Sequence, residues 1–294
     1  MKNTKQRWFF AFIFALAAVL LAGCAAGMSG QSGSTAGQND SSASSVSLEV
    51  SSAPTAASQT DEITAWTELV CRVVHRDGDL LLLAQQQGTE HDIFLLDLTG
   101  LPDEEGILPT IEAGELVYVA CSGTQTCEIP LNLSGVELVS RARGGFDDQC
   151  VLYLQVLEDL WAADPGLNSG IAMISVDLSA TGLCGSEQAA VAWLFAKNHD
   201  VTLVKGGYEQ LLEQGYLTPD DPENPNTLYH WADGCLFSIT EKPMDGVYMG
   251  LHPITFDAMK WRSGLGAYLF ADCTALRNGS GRWSEYTVGS HAIA

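Results

Sequence analysis

The residues of this chain that could carry chemistry are its cysteines and histidines, of which there are eight and six. A cysteine becomes a nucleophile when a neighbouring base accepts its proton. Such a pair could be drawn from Cys235, Cys273, His230 and His252. None of these residues lies in a thiol-enzyme motif, and cysteines inside strand-like runs usually behave as small hydrophobic residues. We therefore expect core thiols, with an envelope hydrolase or thiol enzyme in the C-terminal region as the alternative.

The six histidines show no spacing that is typical of a metal site. No two of them lie four residues apart, and the H-E-x-x-H pattern that places two ligands on one helix face is missing. The acidic loop at 220–224 lacks the regular spacing of a calcium loop. Motifs for a nucleophilic serine and for a phosphate-binding loop are also absent. The sequence predicts no metal and no cofactor, and it favours a binding protein over an enzyme.

Two further groups of residues are candidates for a structural or binding role. Cys121 and Cys127 lie six residues apart across a predicted hairpin, so a disulfide can form if the strand register brings them within reach. The alternative is that both remain buried thiols. An aromatic surface for an envelope protein, a peptide or a glycan is the second candidate, although aromatic residues at strand spacing are often core. Its members would be Trp231, Trp261, Arg262 and Trp283.

The first 23 residues have the layout of a secretory signal. Residues 1–7 are basic, and residues 8–21 form an uninterrupted apolar run. That run of 14 residues is shorter than the roughly 20 that a membrane-spanning helix needs. Small residues then precede a cysteine. The sequence predicts export across the membrane and removal of the signal.

Leu21, Ala22, Gly23 and Cys24 resemble the lipobox of bacterial lipoproteins. The resemblance implies that the thiol of Cys24 receives a diacylglyceryl group and that the chain is cut just before this residue. Two acyl chains give a stable anchor where one is marginal. The mature protein is therefore expected on the cell membrane, lipid-anchored and facing the extracytoplasmic side.

The mature chain begins with a tether and carries a strong negative charge. Residues 24–61 are mostly Ser, Gly, Ala, Gln and Thr, a composition that cannot bury a core. Removal of residues 1–23 leaves 11 of the 14 basic residues and all 36 acidic ones, a formal charge of −25. Because such a surface repels phosphate backbones, nucleic acid is excluded as an expected partner.

Residues 62–142 are expected to form a small antiparallel β-barrel. Short apolar runs at 68–75, 80–84 and 92–98 are broken by turn signals, of which Asp77-Gly78 is the strongest. The segment from Gly114 to Val136 resembles the closing hairpin of the OB-like modules in uncharacterised lipoproteins of Gram-positive bacteria. OB barrels can bind oligonucleotides through basic grooves. Residues 62–142 have few basic residues (Arg72, Arg76 and Arg141) and few aromatic residues on their strands, so oligonucleotide binding is not expected and a spacer or protein-contact role is.

Residues 146–294 are expected to form a second domain of the α+β class, with helices first and an antiparallel sheet after. Apolar residues at three- and four-residue spacing predict a helix over 149–163, and Ser186 is expected to cap a second helix over 187–198. Strand-like runs follow from residue 234. The runs 231–238 and 256–264 resemble parts of a domain of unknown activity in other such lipoproteins.

Overall fold

The computed structural model describes residues 66–103, 106–125, 128–224, 226–243 and 252–294. The predicted signal, the lipobox with Cys24, and the tether lie outside these residues. The described residues belong to one compact unit, so the barrel region and the C-terminal region pack together.

Five strands close into a barrel in the order β1-β2-β3-β5-β4. All neighbouring pairs are antiparallel except β3 and β5, which run parallel where Phe94 and Leu95 meet Leu131 and Asn132. Gly78, with φ of +59°, forms the tight turn between β1 and β2. The strands are β1 (Thr67–Asp77), β2 (Leu80–Gln85), β3 (Ile93–Asp97), β4 (Leu116–Thr124) and β5 (Leu131–Arg141).

The C-terminal region combines three described α-helices with one eight-stranded sheet. The main strand order is β13-β12-β11-β10-β6-β7, with β9 attached to β11 and β8 attached to β9. Its elements are α1 (Gln149–Ala162), β6 (Met173–Ala180), α2 (Gly185–Asn198), β7 (Thr202–Val204), α3 (Tyr208–Glu213), β8 (Thr218–Pro219), β9 (Tyr229–His230), β10 (Gly234–Lys242), β11 (His252–Ser263), β12 (Gly266–Arg277) and β13 (Ser290–Ile293).

The predicted fold class, α+β with helices first and an antiparallel sheet after, is wrong. The described chain is mostly β, and its helices lie in the middle, between the barrel strands and the C-terminal strands. The sheet is also mixed, because β6 pairs parallel with both β7 and β10. Residue 173 of β6 pairs with residue 234 of β10, and local periodicity cannot reveal a pairing at that separation. Among the described residues, no helix is long and apolar enough to cross a membrane.

The largest core joins the barrel to the C-terminal region. Tyr153, Val156, Leu157 and Leu160 form the apolar stripe of α1 and are fully buried against the sheet. The same cluster contains residues of α2 and the outward-facing barrel residues Val74, Leu82, Ala84 and Ile93. The two regions therefore share one hydrophobic core.

Helix α2 covers the outer face of barrel strands β1 to β3. Leu82 and Ala84 of β2 and Ile93 of β3 pack in the same cluster as Val191 and Leu194 of α2. OB barrels that bind oligonucleotides use the face of strands 2 and 3. In this chain that face is occupied by the protein's own helix.

Candidate functional site

A cleft of about 220 Å³ lies where the barrel meets the first turns of α1 and α2. One side is formed by β1 and the loop after β2, and the other by the loop after β6 and the starts of the two helices. The loop after β6 lies at the carboxyl end of a strand whose two neighbours run parallel to it, and in parallel sheets this end is a common place for ligands. The lining residues are Arg72, Gln86, Gln87, Asp147, Gln149, Cys150, Gly182, Leu183, Cys184 and Glu187.

Glu241, at the carboxyl end of β10, supports two walls of the cleft from behind. Its Oε1 accepts hydrogen bonds from the hydroxyl of Tyr153 at 2.5 Å, from the amide Nε2 of Gln149 at 3.0 Å and from the backbone N–H of Gly182 at 2.7 Å. Burial and this hydrogen bond raise the pKa of Tyr153 far above its usual value, so the phenol stays neutral. The network holds Gln149 and the 182–184 loop in place.

The arginine of the cleft is held in place by three contacts with the protein, while its Nη2 makes no hydrogen bond within the described chain. Nη1 of Arg72 donates to the carbonyls of Gly114 and Gly145, each at 2.9 Å. Its Nε lies 3.5 Å from Oε1 of Glu187, and both side chains are mostly buried. The other oxygen of Glu187 accepts the backbone N–H of Cys184 at 3.0 Å, which caps the start of α2. The charges of Arg72 and Glu187 are therefore used inside the fold.

Asp147 is engaged in the same way at the start of α1. Its Oδ1 accepts the backbone N–H of Gln149 at 3.1 Å and the indole N–H of Trp283 at 2.9 Å. Its Oδ2 lies 3.0 Å from Nη2 of Arg277. The protein's own carboxylates therefore already interact with the positively polarised N-terminal ends of both helices at the cleft.

The groups of the cleft that keep open hydrogen-bonding capacity are the carboxamides and Nη2 of Arg72. Gln86 and Gln87 are exposed, and within the described chain their side chains make no hydrogen bond. The amide nitrogen of Gln149 is used by Tyr153 and Glu241, which leaves its carbonyl oxygen for another donor. Each carboxamide offers both a donor and an acceptor, except where the protein has used one. The cleft can therefore recognise an uncharged polar group.

The two thiols at the cleft do not form a reactive pair. Burial raises the pKa of Cys150 well above its usual value, so this thiol is protonated at neutral pH. The sulfur of Cys184 lies 3.2 Å from the hydroxyl of Ser186, at the start of α2. Neither sulfur has a histidine within hydrogen-bond reach among the described residues.

The residues considered for a cysteine–histidine pair each have another place in the structure. Cys235 is fully buried in the sheet, where its thiol donates to the carbonyl of Trp261 at 3.3 Å. Cys273 is buried in β12, and Nδ1 of His230 lies 2.7 Å from a carboxylate oxygen of Asp220. His252 is the first residue of β11. A Cys235–His230 pair is therefore not assembled.

The residues considered for an aromatic surface are distributed over two different parts of the fold. Trp231 is 1% exposed and Trp261 is 9% exposed, and both belong to the core cluster under α3. The guanidinium of Arg262 donates to the backbone carbonyls of Leu167, Ser169 and Ala232. Trp283 packs at the opposite core, beside α1. The structure does not bring these four side chains together on one exposed face.

The remaining site predictions concern residues that the structure describes only in part. Cys121 is buried in β4, whereas Cys127 lies outside the described residues, so their disulfide stays a prediction. The lipid attachment at Cys24 stays a prediction for the same reason. Within the described ranges, no three His, Cys, Asp or Glu side chains are grouped so that they could hold a metal ion.

The buried thiols make the fold sensitive to alkali. Burial raises the pKa of Cys71 and Cys235 from 9.0 to about 12. In the unfolded chain a thiol ionises near 9, so between these values only the unfolded state loses the proton. The contribution of each buried thiol to the free energy of unfolding is therefore fully present below pH 9. It is lost as the pH rises from 9 towards 12. We expect the free energy of unfolding to fall by about 2 kcal/mol per thiol between pH 8 and pH 10.5.

Urea unfolding of two variants at these two pH values tests this expectation. Cys71→Ala removes one thiol from the barrel core and should make the loss between the two pH values smaller. Val73→Ala creates a cavity on the same strand without removing a thiol, so it should lower stability equally at both pH values. Identical pH dependence in the two variants would contradict the assignment of the alkaline loss to Cys71.

Comparison with known proteins adds no relative on which a function could be based. No protein-family model matches this chain, and no curated protein matches it.

Sequence reasoning missed the residues that form the cleft. Local patterns place Gln149 and Tyr153 on an amphipathic helix and show Arg72 as one of few basic residues of the barrel region, without indicating that they meet. Glu241 stands 88 residues from Tyr153, its closest hydrogen-bond partner. A glutamine at the start of a predicted helix was a weak signal, because nothing local shows what it faces.

Proposed function

We propose that this protein is a binding protein that is lipid-anchored to the cell membrane on its extracytoplasmic side. It binds a small, uncharged polar ligand in the cleft and does not convert it chemically. One observation carries the proposal. The three ionised side chains that line the cleft, Arg72, Asp147 and Glu187, are all partnered within the protein, whereas the carboxamides retain open hydrogen-bonding groups. The charges of the cleft are thus offset within the protein, and its open groups can form hydrogen bonds with a neutral ligand.

The location of the protein rests on the lipobox and on the composition that follows it. A diacylglyceryl group on Cys24 would hold the chain at the membrane, and a tether of 24–61 would let the folded part stand roughly 30–35 Å from the surface. A cleft on such a tethered body would be open to small molecules of the cell envelope.

The chemistry of the cleft supports binding over catalysis. A nucleophilic thiol requires a lowered pKa and a base within hydrogen-bond reach. Cys150 instead has a raised pKa, and the phenol of Tyr153 is held neutral by burial and by Glu241. The described lining residues therefore provide positions for hydrogen bonds without an activated nucleophile.

Hydrogen–deuterium exchange of the membrane-extracted protein tests the proposed function. We expect the dialysable fraction of the cell envelope to slow exchange of the backbone amides at 182–187, since a ligand in the cleft covers this loop. Gln86→Ala, which removes an exposed carboxamide with no structural bond, should reduce the protection. Gln155→Leu, an exposed change on the far side of α1, should leave it unchanged. Equal exchange with and without the fraction, or consumption of the ligand, would contradict a binding role.

A further inference from the structure

We infer that the ligand of this cleft is a short stretch of uncharged peptide, one or two residues long, with small side chains. This inference rests on the proposed function and specifies its ligand. The size of the cleft sets the first limit. A volume of about 220 Å³ lies below the roughly 300–1,000 Å³ of clefts that hold drug-sized ligands, so the part of the ligand inside the cleft is small. Because the cleft is half open, one or two residues of a peptide can lie in it while the rest of a longer chain extends into solvent.

The open groups of the cleft match a peptide group. A peptide bond presents one N–H donor and one C=O acceptor, and a carboxamide presents the same pair of functions. The carbonyl oxygen of Gln149 is fixed in position because its amide nitrogen is bound to Tyr153 and Glu241, so it can accept a peptide N–H. The exposed carboxamides of Gln86 and Gln87 lie on the opposite wall and can bind the remaining donor and acceptor.

The charges around the cleft disfavour an ionised ligand. The N-terminal ends of α1 and α2 would attract an anion, but Asp147 and Glu187 already occupy them. A cation would have to compete with Arg277 for Asp147 and with Arg72 for Glu187. A peptide segment without charged side chains is the ligand that leaves these pairs intact.

The composition of the walls favours a peptide over a sugar. Sugar rings are commonly bound by stacking on Trp, Tyr or Phe, and none of the residues that line the cleft is aromatic. Leu183, Cys150 and Cys184 instead provide a small apolar wall. This wall fits a methyl group such as the side chain of alanine.

Binding of defined probes to the membrane-extracted protein tests the inference, with NMR shifts of the 182–184 amides as the readout. N-acetyl-alanyl-alanine amide should bind with a Kd on the order of 1 mM, as expected for a ligand of this size. Gln86→Ala and Gln149→Leu should each weaken binding at least fivefold. Gln155→Leu is the matched control, because it is the same substitution on the same helix but away from the cleft. It should change the Kd less than twofold.

The other probes separate the failure of this inference from the failure of the proposed function. N-acetylglucosamine, and the same dipeptide with a free carboxylate, should bind at least tenfold more weakly than the neutral dipeptide. If N-acetylglucosamine or the carboxylate dipeptide binds as tightly as the neutral dipeptide, the inference that the ligand is an uncharged peptide is wrong. If the envelope fraction protects residues 182–187 but the neutral dipeptide does not bind, binding stands and the peptide class is wrong. If neither has an effect, the proposed function falls as well.

Discussion

Cells that produce the Cys24→Ala variant should contain no acylated form of this protein. The thiol of Cys24 is the proposed acceptor of the diacylglyceryl group, and alanine offers no nucleophile at that position. Cleavage just before residue 24 should stop as well, since the peptidase of this pathway acts on the lipidated chain. Metabolic labelling with an alkyne fatty acid should mark the wild type and leave the variant unlabelled. The variant should also retain residues 1–23 and migrate as the larger precursor.

Cys184→Ala is the matched control, because it removes another cysteine without touching the lipobox. We expect this control to be labelled and processed like the wild type. Mass spectrometry of the wild-type N-terminus should find a diacylglyceryl thioether on Cys24. A label on Cys24→Ala, or a wild-type protein that accumulates in the cytosol with residues 1–23 attached, would overturn the proposed location.

Gly281→Ala should destabilise the folded part strongly, although it adds only one methyl group. Gly281 has φ of +88°, and a Cβ at this position would lie 1.9 Å from the backbone carbonyl oxygen of Phe146. The backbone conformation costs an alanine about 1–2 kcal/mol, and relief of the contact costs about 1–3 kcal/mol more. We therefore expect the free energy of unfolding in urea to fall by about 3 kcal/mol.

The effect should extend to the cleft because this segment holds the start of α1. Nη2 of Arg277 donates to the carbonyl of Phe146 at 3.0 Å, and the backbone N–H of Trp283 donates to Asp148 at 2.8 Å. Gly279→Ala, two residues away, is the control, since a Cβ there meets nothing within 4 Å. It should change stability by less than about 0.5 kcal/mol. Equal urea midpoints of unfolding for Gly281→Ala and Gly279→Ala would contradict the predicted clash between a Cβ at residue 281 and Phe146.

Local patterns predicted several elements close to their observed bounds. The runs 68–75 and 80–84 are strands β1 and β2, and the helix predicted over 149–163 is α1 at Gln149–Ala162. The helix predicted over 187–198 is α2, but it begins at Gly185, and Cys184 is its N-cap residue. Ser186 was expected to cap this helix, yet its hydroxyl donates to the carbonyl of Gln85 at 2.6 Å. A contact between the barrel and α2 has replaced the local one.

The sequence alone determines those features that depend on neighbouring residues. They are the apolar stripe of α1, the turn at Gly78, the strong negative charge and the lipobox pattern around Cys24. Each follows from spacing or composition within one short segment, where the backbone permits few conformations.

Only the tertiary structure decides how these elements meet. The parallel pairing of β6 with β10, the covering of the barrel by α2, and the approach of Glu241 to Tyr153 and Gln149 all join residues more than 50 positions apart. The free energy of such contacts comes from the burial of a shared core, which depends on the whole arrangement and not on any one segment. The cleft exists because that core draws the barrel and the starts of two helices together.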